Sequence, residues 1–304
     1  MSFAIEGVFC AAATPLKADG SPDLALFGAH AKALIEDGCH GIAMLGSTGE
    51  ANSFSMAERM ALLEAALAGG TRPDQLLPGT SSCAISDAIA LTRHAVGLGV
   101  RATVLLPPFY YTAFSDESLF RFYARIIEGV GDSRLRVVLY HIPMLTGVPI
   151  SHELIAMLRR EFPETVIGIK DSDGKLANMQ QMVARFPGFA VLAGADPLLL
   201  PLLESGGAGC ITATSNLVAR DLRLVFDHWR EPARAGDVAA AQARIIAWRE
   251  LTNSYTQLPT VKAMLARRRG DRGWLNVLPP FSPLSAAECE TVWARMGELE
   301  REMA

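Results

Sequence analysis

Val166-Ile167-Gly168-Ile169-Lys170-Asp171-Ser172 runs an apolar, β-branched segment straight into a lysine. Such a run predicts a strand, and the residue at its end is unusual for this chain. Lys17, Lys32, Lys170, Lys175 and Lys262 are the five lysines among 28 basic residues, so solvent-facing positive charge is carried almost entirely by arginine. Lys170 is therefore singled out for its amine. An ε-ammonium held among Val, Ile and Gly can have its pKa lowered by desolvation, and the neutral amine is a nucleophile toward carbonyl carbon. That chemistry is a Schiff base; the competing reading is a strand-end lysine extending to solvent.

Outward from this strand, similar short runs occupy 8–15, 41–46, 76–80, 102–106, 136–142, 190–194 and 209–214, which with 166–170 makes eight. Helical patterns lie between them. Ser55-Met56-Ala57-Glu58 reads as a capping box opening a helix to about residue 67, and Ser115-Asp116-Glu117 opens one to about 128. Eight βα repeats predict an α/β chain folded as a (β/α)8 TIM barrel, with a doubly wound open sheet as the rival. No Gly-x-Gly-x-x-Gly follows the first strand, which favours the barrel. So does the position of the reactive residues. Ser47-Thr48, Tyr110-Tyr111, Tyr140-His141, Lys170-Asp171, Asp196 and 212–216 all follow strand ends that open on one face of a barrel, where they are expected to converge on one pocket. Beyond about residue 217 helical stretches near 222–229, 238–254, 261–269 and 286–303 follow, broken by Pro259 and Pro279-Pro280. The expected organisation is a barrel over 1–230 and a packed C-terminal helical extension over 231–304, with no linker between them.

Half of the 304 residues are apolar and the net charge is −4, so a large core is available and neither nucleic acid nor a membrane surface is an expected partner. No basic and apolar leader opens the sequence, and no apolar run reaches membrane-spanning length. Cys10, Cys39, Cys83, Cys210 and Cys289 are scattered and odd in number, which argues against disulfides and zinc and for a reducing cytoplasm. His30, His40, His94, His152 and His228 show no metal-ligand spacing, so no metal is expected.

Gly46-Ser47-Thr48-Gly49-Glu50 closes the second strand with two hydroxyls and free backbone N–H groups, a turn suited to a carboxylate or simply a polar βα turn. Tyr140-His141-Ile142-Pro143 ends the fifth strand, so Tyr140 either relays protons to a nearby amine or packs with a satisfied hydroxyl. His141 points to the opposite side, as a structural or substrate-facing residue. Pro107-Pro108-Phe109-Tyr110-Tyr111 is a rigid aromatic loop of the kind found at interfaces and pocket lids, or in cores.

Together, Gly46-Ser47-Thr48-Gly49-Glu50, Tyr140-His141-Ile142-Pro143 and Gly168-Ile169-Lys170-Asp171-Ser172 resemble the dihydrodipicolinate synthase / N-acetylneuraminate lyase family of class I aldolases and lyases. The resemblance implies that Lys170 attacks the keto carbon of pyruvate or another 2-oxo acid, whose carboxylate rests on Ser47 and Thr48. Tyr140 then moves protons, relayed by Thr48 and by a tyrosine from a neighbouring subunit, for which spacing from Ser115 favours Tyr111. Gly194, Asp196, Ile211 and Leu145 fall at positions implied to contact substrate. An aldehyde is the second substrate, the assembly is a homotetramer built as a dimer of dimers, and neither metal nor pyridoxal phosphate is needed. Two departures bear on the substrate. Where dihydrodipicolinate synthases usually carry an arginine, this chain has Leu145, which cannot bind a second carboxylate; losing such a clamp typically costs about 2–5 kcal/mol of recognition. The stretch 141–148 is closer to the N-acetylneuraminate lyase version, with Asp196 where that branch holds polyol hydroxyls, yet Pro197 and Ala213 depart from it. A sugar-acid or hydroxy-oxo-acid aldolase or dehydratase is equally open, and a non-catalytic 2-oxo-acid-binding relative is the rival of another class.

Overall fold

A computed structural model describes residues 5–302. Its seven strands are β1 (Gly7–Cys10), β2 (Gly41–Ile42), β3 (Thr103–Leu105), β4 (Val137–His141), β5 (Val166–Asp171), β6 (Ala190–Ala193) and β7 (Gly209–Thr212). All neighbours pair in parallel, in the order β2-β1-β7-β6-β5-β4-β3. The run expected as a strand at 76–80 is not a regular one, because Pro78 has no N–H to give the ladder. It still joins the two edges. Leu77 and Gly79 donate to the carbonyls of Ile42 and Met44 at 2.8 Å each, while Val104 donates to Pro78 at 2.9 Å and Thr80 to Val104 at 3.1 Å. The eight expected runs thus form the (β/α)8 TIM barrel, followed by helices. Gly79 is required where the segment crosses β2's exit, since a Cβ there would sit 2.1 Å from the Leu45 carbonyl oxygen.

Strand alternation sorts the apolar residues into two layers. Phe9, Ala43, Leu77, Val104, Val138, Leu192 and Ile211 pack with Tyr140 inside the ring. Val8, Cys10, Leu139, Ile169 and Val191 face the surrounding helices. Each fully buried Val, Leu, Ile or Phe contributes about 1.5–3 kcal/mol, so the ring is a packed core that opens only at its strand ends.

The helix Met56–Ala68 begins at the expected capping box: Ser55 Oγ accepts from Glu58 N at 3.3 Å, and the Glu58 carboxylate accepts from Ser55 N at 2.8 Å. Ser115 caps Asp116–Val130 with its side chain, accepting from Ser118 N, without the reciprocal carboxylate. After β7 a helix spans Ser215–His228 with a bend at Val218, so it starts earlier than the periodicity predicts. The chain continues through Ala235–Thr252, Gln257–Arg269 and Ala286–Glu302. Pro259 does not break the chain there. It occupies the first turn of Gln257–Arg269, where an N–H would have no intrahelical partner. Among the described residues no helix is long and apolar enough to cross a membrane.

Candidate active site

Lys170 and Tyr140 are register partners on β5 and β4, and both project into the mouth of the ring. The Lys170 Nζ lies 4.1 Å from the centroid of the Tyr140 ring, a cation–π distance, with both side chains buried. The phenol's pKa is lowered from 10. Burial alone would raise it, but the Lys170 charge and the polar contacts from Lys170, Ser47 and Ser172 together outweigh burial. Such a phenol is matched to exchanging protons with an adjacent amine. His141 lies on the other side of β4, where its Nδ1 accepts from Ile150 N at 3.0 Å, so its role is to tie the following loop.

The turn after β2 supplies the third element. Leu45 and Glu50 bracket it with positive φ of 58° and 54°, conformations that cost a non-glycine residue about 1–3 kcal/mol each. Gly49, Glu50 and Ala51 donate back to Gly46, Ser47 and Gly46, while the N–H groups of Ser47 and Thr48 have no partner among the described residues. Two adjacent free donors make a small anion-binding concavity. Two buried contacts hold the strained turn. Thr14 Oγ1 donates to Gly49 O at 2.9 Å, and Glu50 Oε1 accepts from Lys262 Nζ at 2.6 Å with both side chains fully buried. Glu50 Oε2 also accepts from Leu278 N at 2.8 Å, so the C-terminal helices are fastened to the site turn through one carboxylate.

A cavity of about 350 Å³ opens above these groups. Its wall contains Ser47, Thr48, Tyr140, Lys170, Gly194 and Leu145, six of the positions singled out in the sequence. Gly194 allows close passage of the chain, because a Cβ there would lie 2.0 Å from Ser172 Oγ. Ile211 lines a smaller void of about 20 Å³, room for about one water, which reaches into the ring and shares Ser47, Tyr140 and Lys170 with the cavity wall. Tyr110 and Tyr111 stand apart from the cavity wall, 78% and 70% exposed, with ring centroids 5.2 Å apart. Asp196 is fully buried and pairs with Arg249 Nη1 at 3.2 Å; the wall at that point is Arg249 itself. Thr212, Ser215 and Asn216 are likewise outside the wall. Asn216 instead bonds Ala11, Ala13 and His30 and fastens β1 to the helix after β7.

Sequence reasoning missed the contribution of the C-terminal segment: Arg249, Thr256, Gln257, Leu258 and Phe281 complete the wall. It also missed the Glu50–Lys262 pair, although the same scarcity of lysine, applied to Val261-Lys262-Ala263-Met264-Leu265, would have flagged a second amine among apolar residues. No group of three or more His, Cys, Asp or Glu side chains placed to hold a metal occurs among the described residues.

A ring of parallel strands with its polar side chains and its cavity at the strand C-termini is the organisation of a TIM-barrel enzyme. Within that class, residues 4–298 match the Dihydrodipicolinate synthetase family, and the chain belongs to it. It is 35% identical over 303 residues to an uncharacterized DapA-like lyase of Chloroflexus aurantiacus, covering 98% of this chain and 97% of the relative. It is 32% identical over 237 residues to the 4-hydroxy-tetrahydrodipicolinate synthase of Rhizobium meliloti, covering 78% of each chain. Among solved structures, YagE, a prophage protein of the dihydrodipicolinic acid synthase family from E. coli K12 in complex with pyruvate, superposes with a TM-score of 0.89. That pair is 27% identical, over 97% of this chain and 98% of YagE. The protein is a lyase of this family.

Proposed function

We propose that the protein is a class I lyase in which Lys170 forms an imine with the keto carbon of pyruvate or another 2-oxo acid. The observation that carries this reading is the buried Lys170 amine held 4.1 Å over the Tyr140 ring in the wall of the cavity. In the first step the neutral amine adds to the carbonyl carbon, giving a carbinolamine, which expels water as the imine forms. Tyr140 takes the proton that the amine sheds and returns one to the departing hydroxyl, with Thr48 as a relay. The free N–H groups of Ser47 and Thr48 hold the 2-oxo acid's carboxylate and so aim its keto carbon at Nζ. The imine then stores the electron pair released or consumed as a C–C bond to an aldehyde breaks or forms, so neither metal nor pyridoxal phosphate enters the scheme.

We assign a homotetramer in the cytoplasm, and the exposed Tyr110-Tyr111 pair supports an assembly in which Tyr111 enters a neighbouring subunit's site. Residues 1–230 are the catalytic barrel in this reading, and 231–304 the extension that closes the cavity. Leu145, 65% exposed in the wall, presents only apolar surface where an arginine is usual, so the aldehyde need not be the one made into a dipicolinate. Incubation with pyruvate, borohydride reduction and peptide mass spectrometry tests the reading. A reduced adduct on Lys170 is expected. Stabilisation by pyruvate without an adduct would replace it with a binding protein.

A further inference from the structure

Two cations line the cavity, Lys170 and Arg249, and no Asp or Glu side chain does. With Ser47 and Thr48 taking one carboxylate beside Lys170, the guanidinium is left as a second positive group in the wall. It is held in place from behind. Asp196, fully buried, takes Nη1 at 3.2 Å, and the Gln257 carboxamide lies 2.8 and 3.2 Å from Nη1 and Nη2, with its oxygen turned toward them. Arg249 retains 20% exposure of its side chain toward the opening. The other arginine of the region, Arg59, lines the smaller void and spends both Nη groups on the carbonyls of Ser81 and Gly79. Elsewhere in the wall Ile142, Met144, Leu145, Leu258 and Phe281 present no hydrogen-bonding side chain, and Ser172, Thr256 and Gln257 add only neutral polar groups, so Arg249 is the one charged group there besides Lys170.

Resting on the imine reading above, we propose that Arg249 binds a second carboxylate on the substrate, so that the site selects 2-oxo acids or aldehydes carrying an acidic group at their far end. With Nη1 taken by Asp196 and Gln257 and one Nη2 proton by Gln257, the Nε–H and the second Nη2–H are the parallel pair left to match the two oxygens of a carboxylate. Arg249 comes from the helix Ala235–Thr252, so this positive group reaches the cavity from the C-terminal extension and not from a strand end.

The test compares 2-oxo dicarboxylic acids of five, six and seven carbons with the 2-oxo monocarboxylic acids of equal length, each competing with labelled pyruvate for borohydride trapping on Lys170. In the wild type, for at least one length, the dicarboxylate is expected to compete at a concentration lower by about tenfold or more. In Arg249→Met that preference should fall to within about twofold of unity, with a pyruvate adduct serving as the check that the variant is folded. If Arg249→Met does not fold, Arg249→Lys carries the test: it keeps the charge without the fork, and the preference should fall by at least about threefold. No preference at any length in the wild type, or one that survives substitution, overturns the proposal. If pyruvate leaves no adduct even in the wild type, the imine reading fails instead. The same ratio is then read from the ligand concentrations that raise Tm, so the two claims fail separately.

Discussion

Lys170 at the end of β5 and Lys262 in the helix Gln257–Arg269 are both buried amines in a chain that carries most of its positive charge on arginine, yet their surroundings are opposite. Lys170 borders a cavity and faces an aromatic ring, with no carboxylate at salt-bridge distance among the described residues. Lys262 is closed off completely and touches Glu50 at 2.6 Å. Burial lowers the Lys262 pKa, and the charge and hydrogen bond of Glu50 offset part of that. The difference teaches how one residue type serves two ends. An amine whose neighbours leave its lone pair reachable is available to chemistry, whereas one matched to a carboxylate in a dry site becomes a fastening whose cost appears when a partner is removed.

The strongest way to break this comparison is Lys170→Ala. We expect loss of the pyruvate adduct and of turnover by about 10³-fold or more, with stability in urea changed by about 1 kcal/mol or less. A large loss of stability would show that Lys170 is a fastening too. Tyr140→Phe comes next: it should slow turnover by about 10²–10⁴-fold while the adduct still forms slowly, as read by single-turnover trapping. Lys262→Met is the mirror image. Leaving Glu50 buried without its partner should cost about 3–5 kcal/mol in urea unfolding, and the double variant Glu50→Gln/Lys262→Met should recover part of it. An undiminished loss in the double variant would mean that packing, not pairing, governs the site.

A smaller effect sharpens the same contrast on the fastening side. His30 is buried, its Nε2–H donates to Asn216 Oδ1 at 3.1 Å, and burial together with the Arg269 charge holds its pKa down at about 4 despite the bond to Asn216. Because the folded pKa lies below the ordinary 6.5, the unfolded chain binds the proton first. Stability from this group is therefore complete above about pH 6.5 and is lost as pH falls toward 4. At 1.36 kcal/mol per pH unit, the loss is about 3 kcal/mol at most. Urea unfolding between pH 7 and 4 should show it, and His30→Gln should flatten the slope.

Much of the barrel was legible because its signals are local. The run ending at Lys170, the Ser55 capping box and the strand ends at Ser47-Thr48 and Tyr140 are read from spacing within about ten residues, and strand alternation then carries Tyr140 and Lys170 to the same side. The segment 76–80 was legible as to place but not as to regularity, since Pro78 spoils the ladder while its carbonyl still serves it. Of the predicted site positions, Ser47, Thr48, Tyr140, Lys170, Gly194 and Leu145 meet at one cavity, whereas Asp196 sits behind Arg249.

Composition, hydrophobic period and capping residues were enough to specify a lysine-bearing (β/α)8 barrel with helices after it. Folding in three dimensions chose the partners. Lys262 meets Glu50 across 212 positions of sequence, and Arg249 meets Asp196 across 53. Hydrophobic period encodes which face of an element turns inward, but not which distant element will lie against it. Charge pairing follows only once the ring has closed, when the exclusion of water makes each buried charge depend on a neighbour that spacing along the chain does not reveal.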